Sequence, residues 1–76
     1  MSIIPIITPG QILLLLFRAG FKIIGQKGSH IRLENPLTGK QTTVAMHAKD
    51  LSRSLITMIL KQAGISIQAF LRLLGK

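Results

Sequence analysis

Few side chains in this sequence can do acid–base or nucleophilic chemistry, and the scarcity narrows the reactions it could run. The chain has no Cys and no Tyr, and Glu34 and Asp50 are its two acidic residues. Paired carboxylates for general acid and base are therefore missing. His30 and His47 fall in different expected elements, with too few acidic neighbours to complete a metal-ligand cluster. What remains is a histidine among cations. Imidazole titrates near neutral pH and can accept a proton from a ribose 2′-OH. RNA brings its own nucleophile, so a base at that hydroxyl and Lys or Arg beside the scissile phosphate suffice for cleavage with no metal or other cofactor. The products would be a 2′,3′-cyclic phosphate and a 5′-hydroxyl.

His30 suits that role better than His47. It follows Lys27-Gly28-Ser29, where a glycine lets a backbone come close and two side chains can reach phosphate, and strand alternation sets it beside Arg32. Lys22, Lys27, Gly28, Ser29 and Arg32 are thus the candidate RNA contacts. A lone histidine is a weak signal, and spacing alone favours an ordinary surface histidine in a strand. His47 lies where the third strand ends and reads as a capping or packing residue. Lys40 and Lys49, like the other cations taken singly, read as solvated charges.

The elements that would hold these residues follow from periodicity and caps. Met1 to Thr8 is apolar but broken by Pro5, which gives an irregular lead-in. Thr8 as N-cap, Pro9 at the first helical position and Gly20 as a stop predict a helix over about Pro9 to Ala19. Ile12 to Phe17 point all round its axis, more than one sheet face can cover. From Phe21 the period changes to two, with Gly25 marking a bulge or bend, and Gln26 to Ser29 supplies a turn. A second strand then puts Ile31 and Leu33 on one side and His30, Arg32 and Glu34 on the other. Asn35 to Lys40 is a turn cluster, and a third strand over Gln41 to Met46 places Thr42, Val44 and Met46 together. After it, Leu51, Leu55, Ile59 and Ala63 recur at four-residue intervals in a second helix that Asp50 or Ser52 starts and Gly64 ends. A short last helix runs from a Ser66 cap through Phe70, Leu71 and Leu74. The order α-β-β-β-α plus a terminal helix predicts an α+β sandwich like the double-stranded-RNA-binding domain. Its three-stranded antiparallel sheet would carry helices on one face, leaving Lys22, His30, Arg32, Gln41 and Thr43 on the open one.

Composition sets the outer bounds. At 76 residues the chain is read as a single domain, residues 1–76, with no cysteine to staple a thin core. It is 47% hydrophobic, too apolar for a disordered basic tail, yet ten Lys plus Arg against two acidic residues give a net charge of +8. Such a charge draws polyanions, meaning RNA, DNA or an anionic membrane surface. The apolar run is too short for a membrane span and lacks the flanks of a signal peptide, so the sequence reads as cytoplasmic, without membrane insertion. A non-catalytic RNA-binding module and a cationic membrane-active protein are the competing classes.

Two separated stretches carry a specific resemblance. Ala19-Gly20-Phe21 with Gln26-Lys27-Gly28-Ser29-His30 comes first, then Thr43-Val44, His47 and Lys49, followed by Ile59 to Ser66 and Phe70-Leu71. In order and spacing, over roughly Ile12 to Leu74, they resemble the HicA (YcfA-type) mRNA interferase toxins. That resemblance implies a double-stranded-RNA-binding-like fold, cleavage of mRNA independent of the ribosome, and neutralisation by a HicB-type antitoxin, with self-association left open. It also implies one catalytic histidine, that of the Gly-Ser-His motif, here His30. The chain departs from the pattern at Ala45, where a proline is common, around Ser52 to Leu55, where Gly-Thr-Leu is usual, and at Ile67-Gln68-Ala69, where acidic residues are frequent.

Overall fold

A computed structural model of the chain describes residues 4–47 and 49–75; residues 1–3 of the expected lead-in lie outside that description. The elements run α1 (Pro9–Arg18), β1 (Lys22–Lys27), β2 (His30–Glu34), β3 (Gln41–Ala45), α2 (Arg53–Ala63) and α3 (Ile67–Leu73). This is the expected α+β order, with each boundary set by local chemistry.

Thr8 starts α1 with a capping box. Its side chain accepts the Gln11 backbone N–H, and the Gln11 side chain accepts the Thr8 N–H at 2.8 Å. Ser52 and Ser66 cap α2 and α3 by accepting the backbone N–H groups of Leu55 and Ala69. Asp50 has no part in the α2 cap. At the far end of α2, Gly64 takes the left-handed conformation that an L side chain resists, and Ile65 N–H returns to the Leu60 carbonyl at 2.9 Å. The turn that follows sets α2 and α3 at 101° to each other.

The strands form an antiparallel sheet in the order β1-β2-β3. Ile23 pairs with Leu33 and Gly25 with Arg32, so Ile24 is the extra residue of a bulge, where Gly25 predicted one. Alternation along β2 and β3 buries Ile31, Leu33, Thr42 and Val44 on one face. Against them pack Ile12, Leu15 and Leu16 of α1, Ile56, Ile59, Leu60 and Ala63 of α2, and Phe70 of α3. Thr42, the polar member of this layer, donates its hydroxyl to the Gln62 side-chain oxygen at 2.9 Å, which ties β3 to α2.

Two features differ from the periodicity reading. Leu51 is buried ahead of α2, where its N–H bonds the Ile7 carbonyl at 2.9 Å, and Leu55 is 40% exposed. With the helix starting at Arg53, its buried stripe is Ile56, Ile59, Leu60 and Ala63. The stripe follows the 3.6-residue turn, from which a strict four-residue stack drifts away. The surplus apolar surface of α1 is shared out: Ile12, Leu15 and Leu16 are buried, whereas Leu14 and Phe17 stay exposed.

Candidate active site at the hairpin end of the open sheet face

The candidate residues lie on the sheet's other face. β1 turns into β2 through Gly28-Ser29, with Lys27 paired to His30. Gly28 has φ +61° and, among the described residues, no non-glycine residue has positive φ, the pattern of a two-residue type II′ turn, in which only the first position needs glycine. The turn places Lys27 and His30 side by side on adjacent strands. Arg32 follows two residues along β2, on the same face and exposed, and its guanidinium donates to the Gln41 side-chain oxygen at 3.2 Å. Gln41 in turn donates to the Glu34 carboxylate at 3.0 Å.

Register decides which predicted contacts meet. Lys22 pairs with Glu34, four residues of β2 from His30, a separation of roughly 13 Å at the rise of an extended strand. Lys22 therefore sits at the opposite end of the sheet, beside the carboxylate. Lys27, Gly28 and Ser29 flank His30 directly, and Arg32 lies between the two ends.

β3 completes the site. His30 pairs with Ala45, and Met46 N–H bonds the Ser29 carbonyl at 2.7 Å, which prolongs the β2–β3 association past the last ladder pair. The residue after Met46 is thereby delivered beside His30. The His47 and His30 ring centroids are 5.4 Å apart, with their planes at 71°. His47, which the sequence suggests as a packing or capping residue, is exposed and its ring meets that of His30 edge to face. His47 lies two residues past the end of β3, so its place beside His30 depends on the β2–β3 register that the Glu34–Gln41 pairing around the Asn35–Lys40 turn sets.

Next to His30 opens a cleft of about 220 Å³ lined by Thr43, Ala45, Leu51, Leu55, Met58 and Ile59. Its wall is largely aliphatic, and Leu55 and Met58 are 40% and 46% exposed. Leu55 thus serves the cleft instead of the core. An imidazole at the mouth of an apolar slot, with ammonium and guanidinium groups along the strands, can hold a phosphodiester at the imidazole while a neighbouring base lies against the aliphatic wall. Among the described residues, no three His, Cys, Asp or Glu side chains come together as a metal site would need.

A three-stranded sheet with its helices on one face and a basic, histidine-bearing open face defines a small protein of the double-stranded-RNA-binding-domain-like class. The family model described as the HicA toxin of bacterial toxin–antitoxin systems matches residues 11–65, a span that includes both histidines and every candidate contact. The chain belongs to the HicA toxin family. It is thus a toxin of a toxin–antitoxin system, with an antitoxin as its family-implied partner. No curated protein sequence matches the chain.

Proposed function

We propose that this chain is a metal-independent endoribonuclease that cleaves mRNA, with His30 as the general base. The observation that carries the reading is the position of His30 at the mouth of the aliphatic cleft, with Lys27 paired across the strand. His30 takes the proton of a ribose 2′-OH, the freed oxygen attacks the adjacent phosphorus, and the bond to the 5′ oxygen breaks. Lys27 and Arg32 offset the charge on the phosphate, and the backbone at Gly28-Ser29 lets the strand approach closely. Because the nucleophile belongs to the substrate, neither a metal nor another cofactor is required. The reading places the protein in the cytoplasm, where mRNA is. It also assigns a HicB-type antitoxin that covers the His30 face and part of α1.

The test is product chemistry. RNA incubated with the protein in EDTA is expected to yield 2′,3′-cyclic phosphate and 5′-hydroxyl ends, and His30→Ala is expected to lower the rate by on the order of 10²–10⁴-fold. Ends of the opposite type, or cleavage that needs a divalent ion, would assign the chemistry to other groups. RNA that is bound and never cut would make the chain a non-catalytic binding module.

A further inference from the structure

The cleavage just proposed leaves one proton without a source, since the departing 5′ oxygen must be protonated as its bond to phosphorus breaks. We infer that His47 is a second catalytic residue, the general acid that protonates this leaving oxygen, so that the site works with an imidazole pair. The inference rests on the ribonuclease reading and adds a role to it.

The observation is the approach of two imidazoles, one at the start of β2 and one just past the end of β3, with 5.4 Å between ring centroids. At that spacing, two ring nitrogens can each come within hydrogen-bond reach of different oxygens of a single phosphodiester. Both rings are exposed, so substrate has access to them. Ala45, directly across from His30, puts only a methyl group at this point of the cleft wall and leaves room for the phosphate. The backbone supports the pair as well. The Met46 N–H to Ser29 carbonyl bond at 2.7 Å joins the residue before His47 to the residue before His30, so the turn bearing one histidine is tied to the turn bearing the other.

The proton bookkeeping closes on these two residues. His30 starts neutral and gains the 2′-OH proton as the O2′–P bond forms. His47 starts protonated and gives its proton to O5′ as the P–O5′ bond breaks. The products are the cyclic phosphate and a 5′-hydroxyl, and the pair is left with its protons exchanged for solvent to reset. The other charged groups around the pair are Lys27 on β1, Arg32 along β2, and Lys49 and Asp50 in the loop after His47, whereas α2 presents Leu55 and Met58.

The decisive experiment replaces the leaving atom. An RNA dinucleotide with sulfur at the bridging 5′ position expels a thiolate that needs no proton, so it bypasses a general acid and still requires the base. Wild type, His47→Gln and His30→Gln would be compared on this substrate and on its oxygen parent, with thermal melts confirming that each is folded. On the oxygen ester His47→Gln should be slowed at least about 100-fold, and on the thiolate ester it should return to within about threefold of wild type. His30→Gln should be slow on both. The alkaline limb of the wild-type pH–rate profile should flatten in His47→Gln, because that limb reports loss of the acid's proton. Full activity of His47→Gln on the oxygen ester, or an equal loss on both esters, would overturn the role. Wild type that cuts neither substrate would overturn the ribonuclease reading itself, and the acid with it, an outcome distinct from an active enzyme indifferent to His47.

Discussion

At the scale of single residues, one side chain was visible in the sequence and its neighbour was not. His30 stood out because Lys27-Gly28-Ser29 precedes it with turn chemistry, and the sheet places it beside Lys27 as that pattern implies. His47 was hidden because its position depends on strand register, and register is fixed by the closure of the Asn35–Lys40 turn, which a list of residue types does not contain. Lys22 illustrates the converse. Alternation alone groups it with His30, but pairing sends it to the Glu34 end of the sheet. The two lysines should therefore behave differently when RNA is bound. For single-stranded RNA the slope of log affinity against log salt changes by about 0.7 per phosphate contact, so Lys27→Ala should reduce it by about that amount and Lys22→Ala by less. Equal slopes in a salt titration of the two variants would show that the contacts extend along the whole sheet.

At the scale of elements, the sequence was most legible where a backbone requirement has a single chemical solution. Thr8, Ser52 and Ser66 cap the helices, and Gly64 ends α2, because each meets an otherwise unpartnered N–H or a left-handed turn. Leu55 falls outside the core because a helix start two residues after Leu51 sets the buried stripe, and four apolar residues at even spacing do not by themselves locate the first turn. The hairpin at Gly28 gives a clean test of the turn. A Cβ added there meets nothing within 4 Å, so Gly28→Ala should cost only the backbone strain of positive φ, on the order of 1 kcal/mol, and lower the melting temperature by about 4–8 °C. An unchanged melt would mean that the turn relaxes to another type. Leu33 probes the core behind the site. It is fully buried under the helices, so Leu33→Ala should lose about 2–5 kcal/mol, comparable with the whole stability of a chain this small, and circular dichroism should find it largely unfolded at 37 °C.

At the scale of the whole molecule, net charge and the exposed surface of α1 decide what the protein meets. The +8 charge was plain from composition, and it favours fast encounter both with RNA and with an acidic partner. The use of the α1 leucines was only half legible, because sequence cannot count how much of a helix its neighbours cover. The lead-in and α3 take part of that surface: Ile7 joins the core, and the Arg18 guanidinium donates to the Leu73 carbonyl at 3.3 Å. Leu14 and Phe17 remain exposed, 58% and 41%. No single helix among the described residues is long and apolar enough to cross a membrane. We therefore expect the product of the adjacent reading frame to co-purify with the protein and to suppress RNA cleavage, and Leu14→Glu to weaken that complex without slowing cleavage by the free toxin. A co-purified complex that cuts as fast as free protein would place the antitoxin away from His30. Failure to co-purify would leave self-association as the use of that surface. Whether His30 acts on RNA or merely contacts it is decided by measuring affinity and single-turnover cleavage on one RNA in one EDTA buffer for wild type and His30→Ala. With His30 as general base, the affinities should agree within about threefold and cleavage should be lower by on the order of 10²–10⁴-fold in the variant. Equal cleavage, or a loss of cleavage matched by an equal loss of affinity, would contradict it.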